Sequence, residues 1–211
     1  RPDYYKKLPS GQISGNIFNQ PLSDADVDTW QNAYNYWTGS KAHRQIDWDG
    51  MYFANAQQNI LGGEALYYVE NRHNDQMAFH LSSTVKRDMK MYGNISAGLN
   101  FSTTKGMHYK TMKDLLGANR YTDVDKFSVR DYGYNSSMIQ NDLDNPNRVI
   151  GEDDKFGYNY NVFVNKAGAW ANYQYSKSFY SLFFAGRLGG VTMEREGLMR
   201  NGRAANNSKG S

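Results

Sequence analysis

The clearest pattern in the sequence is an alternation of apolar and polar positions, which begins after about residue 71. Between Met91 and Ser102 every second residue is apolar or small, and the residues between them are polar or glycine. Residues two apart lie on the same face of a strand, so the pattern predicts a β-strand with one apolar face. Similar runs predict strands over about 73–86, 91–107, 155–175 and 179–194.

These runs pair naturally into hairpins. A short polar stretch at 86–88 separates the first two runs, and Ser176-Lys177-Ser178 separates the last two. Two alternating runs joined by a short turn predict an antiparallel hairpin. In the third run the less polar residues change parity near Lys166, which predicts a β-bulge at about Asn165–Lys166.

Residues 1–70 show no clean strand alternation. Ser23 and the acidic residues that follow it are typical of a helix N-terminus, and aromatic residues then recur at helical spacing. We predict an amphipathic helix over about 24–37 and a second short helix over about 48–58.

The connections between the predicted strands differ greatly in length. Those at about 87–90 and 176–178 are very short, whereas 108–154 is long and polar. Short turns at one end and long loops at the other are typical of outer-membrane barrels. A run such as Met91–Phe101 spans roughly 25 Å at a tilt of about 40°, the height of a lipid-facing band. The pattern predicts a mainly β fold with antiparallel hairpins that form part of a transmembrane β-barrel; a soluble β-sandwich or meander is the alternative.

Composition narrows the choice of function. The 211 residues include 17 Tyr, 20 Gly and no Cys, which excludes a disulfide framework, a thiol nucleophile and cysteine-based metal sites. A net charge of +3 is too small to indicate a nucleic-acid partner, so none is expected. No run approaches about 18 apolar residues, and we therefore predict no transmembrane helix. The chain begins at Arg1, and we expect it to be a segment of a longer protein.

Candidate chemistry is sparse. We recognise no nucleotide-binding or serine-hydrolase motif, so we expect no enzyme, no catalytic residues and no cofactor. Asp24, Asp26 and Asp28 stand two apart, but Thr29 and Asn35 replace the Gly and Glu of a calcium loop. We interpret these acids as charges at a helix N-terminus.

Other possible metal ligands are equally weak. Loop oxygens for calcium could come from the acidic residues Asp142, Asp144, Glu152, Asp153 and Asp154, although solvated surface acid is the simpler interpretation. The four histidines (His43, His73, His80 and His108) lack metal-ligand spacing, and His80 falls on the polar face of a predicted strand. We predict no metal site and assign no substrate-binding residue.

Eight stretches, in order along the chain, resemble the β-barrel of TonB-dependent outer-membrane receptors of the type with an N-terminal carboxypeptidase-regulatory-like domain. The stretches are 1–10 (RPDYYKKLPS), 45–49 (QIDWD), 65–70 (ALYYVE), 113–117 (KDLLG), 140–148 (QNDLDNPNR), 154–160 (DKFGYNY), 164–170 (VNKAGAW) and 195–203 (REGLMRNGR). The resemblance implies a barrel of about 22 strands that is occluded by a plug. It also implies nutrient import at the cell outer membrane of a Gram-negative bacterium, with energy passed through TonB.

In terms of this family, residues 1–70 are an extracellular loop region with short helices, and 71–194 are two barrel hairpins joined by the loop 108–154. Residues 195–211 begin a further extracellular loop. The implied partners are outer-membrane lipids, the rest of the barrel and plug, TonB through the missing N-terminal part, and a surface lipoprotein lid of the kind that some relatives have.

The sequence departs from the family pattern by omission. We see no plug and no TonB box, and four strands are too few to close a barrel, which needs at least about eight. We therefore expect no transport by this segment alone. The alternative function is a soluble β-rich binding or adhesion module, in which aromatic surface loops carry recognition. A hydrolase would need a convergent carboxylate or Ser–His pair that the sequence does not indicate.

Overall fold

The computed structural model describes residues 8–12 and 23–210, without the side chain of Gln12. The described residues fall into two compact units, which divide after Gly50. The predicted loop region 1–70 therefore lies partly outside the described residues, as does Ser211. The helices are α1 Pro9–Gln12, α2 Asp24–Gly39, α3 Trp48–Ile60 and α4 Lys126–Tyr132, and the strands are β1 Val69–Asp88, β2 Asn94–Asp114, β3 Lys155–Lys177 and β4 Tyr180–Gly197. Short 3-10 turns occupy Ala42–Arg44, Lys90–Tyr92, Ser137–Ile139 and Gly202–Ala204.

Helix α2 of the first unit begins where its sequence predicts. The Ser23 hydroxyl accepts a hydrogen bond from the Asp26 backbone N–H at 3.2 Å, and the Asp26 carboxylate accepts one from the Ser23 N–H at 3.1 Å. The Ser23 hydroxyl also donates to the Asp26 carboxylate at 2.7 Å, and this bond, together with the one from the Ser23 N–H, lowers the pKa of Asp26. Asp26 is thus part of a helix cap, as the sequence interpretation of this acidic run requires.

The second unit is dominated by one antiparallel sheet in the order β1-β2-β3-β4. The mainly β class and the antiparallel hairpins are confirmed. Among the described residues the sheet is open, because β1 and β4 each pair on one side only. Helix α3, predicted over 48–58, is present as Trp48–Ile60.

The strands are longer than the alternation indicates, and the excess lies mainly at the end with the long loop. The second strand was expected over 91–107, but β2 runs from Asn94 to Asp114. Beyond Phe101 most of its residues are polar, aromatic or charged, and the apolar Met107 and Met112 do not follow a period of two, so the alternation gives no signal there. The predicted loop 108–154 correspondingly shrinks to 115–154.

The predicted β-bulge at Asn165–Lys166 is wrong. Asn165 pairs with Thr103 on one side and Thr192 on the other, and the register of β3 continues unbroken through both residues. On β3 the less polar residues change face because the two ends of the sheet have different surroundings. Toward the long-loop end the loops pack on the sheet, whereas toward the tight turns no described residue covers it. The register irregularities fall instead between Val69 and Glu70 and between Tyr109 and Thr111.

The hydrophobic core of this unit lies at the long-loop end of the sheet. It consists of Ala65, Met112, Tyr121, Ile150 and Phe156, with Tyr68, Leu115 and Ala118 packed against it. Segments 64–68 and 115–154 thus fold onto the end of the sheet that is far from the tight turns. None of the helices formed by the described residues is long and apolar enough to cross a membrane.

Candidate functional site

The strand register sorts the side chains of the sheet onto two unlike faces. Leu81 pairs with Phe101, which pairs with Ala167, and the next rows continue the same face through Leu99 and Leu188. We call this the belt face. Its apolar rows, the belt, comprise alternate residues of 81–85, 95–101, 167–175 and 182–190, with Ser83 as a polar member.

The belt is uncovered by protein among the described residues. Leu81 is 59% exposed, Leu99 64% and Leu188 81%. Burying one such side chain fully stabilises a fold by about 1.5–3 kcal/mol, and soluble monomers rarely expose large contiguous apolar patches. This face therefore requires an apolar neighbour. On β3 and β4 its extent is close to the about 9–11 residues with which a tilted strand crosses a bilayer.

The opposite face has a different character over the same rows. It carries mainly hydroxyl, amide, glycine and cationic residues: Ser82, Thr84, Lys86, Ser96, Gly98, Asn100, Ser102, Lys166, Gly168, Asn172, Gln174, Arg187 and Gly189. The apolar or aromatic exceptions are Trp170, Phe183, Ala185 and Val191. His80 lies here, paired with Ser102, which is the face that the sequence predicts.

Aromatic residues gather where the belt meets the tight turns. The Tyr173 hydroxyl donates to the Tyr92 carbonyl, and the rings of Tyr175 and Tyr180 are 5.9 Å apart. Phe179 in the second turn is 86% exposed. Aromatic rings at such a boundary are typical of the girdles of membrane barrels, because their rings suit both water and acyl chains.

Beyond the other edge of the belt the belt face becomes more polar. The Tyr109 hydroxyl donates to Asp75 at 3.0 Å, and this hydrogen bond raises the pKa of Tyr109. The Lys155 ammonium lies 4.1 Å from the centre of the Tyr109 ring. Glu194 and Glu196 lie on the same side of β4. Met77, Phe79 and Phe163 also lie on this side of the sheet, so apolar and polar residues mix beyond the belt.

At the long-loop end the chain builds a pocket of about 210 Å³. The pocket is lined chiefly by Tyr68, Lys110, Tyr121, Lys126, Phe127 and Tyr158. Burial raises the pKa of Tyr121 most, and its hydrogen bond with Tyr68 raises it further. Phe127 is 81% exposed at the rim. Aromatic faces beside polar groups give this pocket the composition of a small-ligand site.

Both lysines of the pocket are held by carboxylates. Lys110 donates to Glu70 at 2.9 Å, and Lys126 pairs with Glu64. Burial alone would raise the pKa of each glutamate, but the hydrogen bonds that they accept outweigh it and lower both pKa values. Each lysine of the pocket therefore has a carboxylate partner that holds its ammonium group in place.

Helix α4 beside the pocket begins at Asp125. This carboxylate accepts hydrogen bonds from the Phe127 N–H at 3.0 Å and the Ser128 N–H at 3.3 Å. Burial would raise the pKa of Asp125, but the hydrogen bonds from Ser128 and Phe127 lower it overall. The cap fixes the start of the helix and so places Lys126 and Phe127 at the pocket.

Three of the five acids considered as loop ligands for calcium hold the loops together, whereas Glu152 and Asp153 are exposed. Asp142 accepts hydrogen bonds from the Asp144 and Arg200 backbones at 3.2 and 3.1 Å, and Asp144 pairs with Arg200 and Lys209. Asp154 accepts from the Gly151 N–H at 2.9 Å. Within residues 8–12 and 23–210 no three His, Asp or Glu side chains form a group that could hold a metal ion.

The buried carboxylate of Asp123 escaped the sequence interpretation. It accepts hydrogen bonds from Asn141 at 2.8 Å and from the Gly157 N–H at 2.9 Å, with Arg148 3.4 Å away. It therefore joins the long loop to the start of β3. Only the folded chain brings these partners together, so no local pattern could have indicated this role.

Comparison of the sequence with protein-family models and with curated proteins gives no match.

Proposed function

We propose that this chain forms four neighbouring strands of the β-barrel of a TonB-dependent outer-membrane receptor that imports a nutrient. The observation that carries the proposal is the belt: an exposed apolar band that crosses all four strands, backed by a polar face. Lipid-facing and lumen-facing residues alternate in this way in membrane barrels. The ordered resemblance of eight sequence stretches to this family supplies the class of receptor.

The arrangement of turns and loops supports the same proposal. The two hairpins turn at 89–93 and 178–179, and at the other end β2 and β3 are joined by the loop 115–154. Barrels of the bacterial outer membrane have short periplasmic turns and longer extracellular loops. In this orientation the belt crosses the bilayer and the pocket at Tyr68, Lys110 and Tyr121 faces the outside of the cell.

Two free sheet edges fit a segment of a barrel. The backbone groups on the outer sides of β1 and β4 have no strand partner among the described residues. Unpaired backbone groups in hydrocarbon each cost several kcal/mol, so membrane sheets close on themselves. Further strands of the same protein would pair with both edges, and the four strands alone would transport nothing.

Spin labelling tests the proposal. These 211 residues contain no cysteine, so single cysteines can be placed here one at a time in the full-length protein once any cysteines elsewhere in it have been replaced by serine. We expect labels at Ala97→Cys, Leu99→Cys and Phe101→Cys to collide with oxygen dissolved in lipid. Matched labels at Ser96→Cys, Asn100→Cys and Ser102→Cys should collide with a water-soluble nickel complex instead. Alternating accessibility in vesicles that contain the protein would support a lipid-facing belt.

Two results would contradict the proposal. One is recovery of the full-length protein from cells in aqueous buffer without detergent. The other is low collision with both reagents at Ala97→Cys, Leu99→Cys and Phe101→Cys, which would place the belt inside a protein core. That second result favours the soluble binding module, with the pocket at Tyr121 and Phe127 as its recognition site.

A further inference from the structure

A line of cations runs along the face opposite the belt. Arg195 lies nearest the long-loop end, and Lys166, Arg187 and Lys86 follow toward the tight turns. The strand pairing allows all four positions to be compared along β4, where Arg195 and Arg187 already lie. Lys166 falls in the row of residue 191, and Lys86 in the row of residue 185. At about 3.3 Å per residue, the successive steps along the strands are about 13, 13 and 7 Å.

Carboxylates are missing from the same stretch of this face. In the described strands, the side of the sheet opposite the belt carries Glu70 at the long-loop end and Asp88 at the turn end, with none between them. The acids Asp75, Glu194 and Glu196 lie on the belt face. The middle of the opposite face therefore has a positive potential, which low-dielectric walls would strengthen.

The two central cations are uncommitted. Arg195 contacts the Ser208 carbonyl at 3.3 Å and the Tyr160 ring at 4.9 Å. Lys166 and Arg187, by contrast, form no ion pair, side-chain hydrogen bond or ring contact with any residue in the described part of the chain. They line one groove of about 400 Å³ together with Asn100, Ser102, Gly189 and Gly190.

Glycines form the floor between these cations. Gly168 and Gly189 pair across β3 and β4, one row from Lys166 on one side and from Arg187 on the other. The Asn100 amide already packs over Gly168, where an added Cβ would lie 2.9 Å from its Oδ1. The two glycines add no side chain to the floor, and the Asn100 amide and the Ser102 hydroxyl lie on its β2 side.

We propose that Lys166 and Arg187 form a binding site for an oxyanion, a phosphate or carboxylate group, on a solute that moves along this face. The proposal rests on the proposed function, because only in a barrel is this face the wall of a lumen. Arg195 and Lys86 extend the site toward the two ends of the wall. The nutrient would then be an anionic molecule that is passed down a series of cations.

Binding of inorganic phosphate tests the site. We would titrate phosphate into the full-length protein in detergent at low ionic strength, by calorimetry, and compare two double variants of equal charge change. Lys166→Gln with Arg187→Gln removes the site, whereas Arg87→Gln with Lys177→Gln removes two cations of the belt face near the turns. We expect phosphate binding to weaken about tenfold or more in the first variant and less than about twofold in the second.

Two outcomes would overturn the site. One is a wild-type protein that gives no heat of phosphate binding, and the other is an equal loss in both double variants. Added sodium chloride should also weaken wild-type binding, because exposed ionic contacts are screened. The spin-label experiment is independent of these readouts, so failure of the membrane proposal and failure of the anion site are distinguishable.

Discussion

The side-chain amide of Asn55 donates a hydrogen bond to the Leu115 carbonyl at 2.9 Å and so joins helix α3 to the end of β2. Asn55 is fully buried. Its Nδ2 also donates to the Tyr67 carbonyl at 2.8 Å, and its Oδ1 accepts from the Leu66 N–H at 3.0 Å. One side chain thus satisfies backbone groups of two segments, 66–67 and 115–116, at the long-loop end of the sheet.

Replacement of Asn55 by alanine should loosen this end of the protein. Asn55→Ala leaves several buried backbone groups without partners, each of which costs about 1–3 kcal/mol unless water reaches it. We expect hydrogen exchange of residues 64–68 and 115–117 to accelerate in detergent-solubilised protein, while exchange in the belt stays unchanged. Gln57→Ala, on an exposed position of the same helix, is the control. Equal exchange in both variants would refute the role of Asn55.

The sheet and its two faces could be predicted from the sequence because a period of two is a local property. The residues that flank Leu99 and Asn100 are enough to predict that Leu99 lies on the apolar face and Asn100 on the polar face. The strand register places both residues on those faces. The change of parity at Lys166 led to the wrong prediction of a bulge. Val162 and Val164 lie on the opposite face from the belt, in rows nearer the long-loop end, where that face is the less polar one on β3. Periodicity cannot distinguish a slipped strand from a straight strand with altered surroundings.

The pocket at the long-loop end, which Tyr121 and Lys126 line, could not be predicted in the same way. Its ion pairs join residues far apart in sequence, such as Glu64 with Lys126 and Glu70 with Lys110. Helix α4 is also short, with seven residues. Asp125 before it was the one local signal, since Asp is a favoured N-cap residue. The site therefore depends on tertiary contacts that a single sequence does not reveal.

Acid should reduce the stability of the long-loop end of the sheet. The pKa of Glu70 lies below its ordinary value of 4.5, because hydrogen bonds from Lys110 and Arg72 outweigh the effect of burial. A lowered pKa means that the carboxylate stabilises the fold above pH 4.5 and loses this effect as the pH falls through the folded-state value. We expect the protection of residues 64–70, which is their exchange relative to the intrinsic rate at each pH, to fall below about pH 4.5.

The variant Glu70→Gln separates this effect from general acid damage. It should be less stable than wild type at neutral pH, since the half-buried Lys110 loses its carboxylate. The stability of this variant should also depend less steeply on pH than that of wild type. Glu152→Gln, at an exposed acid, should retain the wild-type profile. An unchanged pH profile in Glu70→Gln would show that this carboxylate does not carry the linkage.

Adjacent residues of β3 give a strong test of the belt. Ala171 lies in its middle row, between Ala97 and Gly186, and Asn172 points to the opposite face. Arginine at a lipid-facing midplane position costs about 2–4 kcal/mol, whereas lumen positions tolerate charge. Ala171→Arg should therefore reduce folding of the full-length protein into lipid vesicles, as measured by urea titration, far more than Asn172→Arg. Similar losses in both variants would contradict a lipid-facing belt.

The turn between β1 and β2 depends on Gly93, which the alternation placed within a strand but which lies one residue before β2 begins. Its φ of 91° is a left-handed conformation that disfavours other residues, and a Cβ there would lie 3.1 Å from the Tyr175 Cα. Gly93→Ala should destabilise the hairpin by about 1–3 kcal/mol.

Gly186→Ala is the matched control for the turn, because a Cβ at Gly186 on the belt face meets nothing within 4 Å. We expect Gly93→Ala to lower the urea midpoint of the vesicle-inserted full-length protein, and Gly186→Ala to leave it unchanged. The strain is local to the turn, so exchange should accelerate at residues 89–93 and at the β3 residues around Tyr175 that pack against it. A wild-type midpoint in Gly93→Ala would mean that the turn relaxes and that Gly93 does not fix the geometry of the first hairpin.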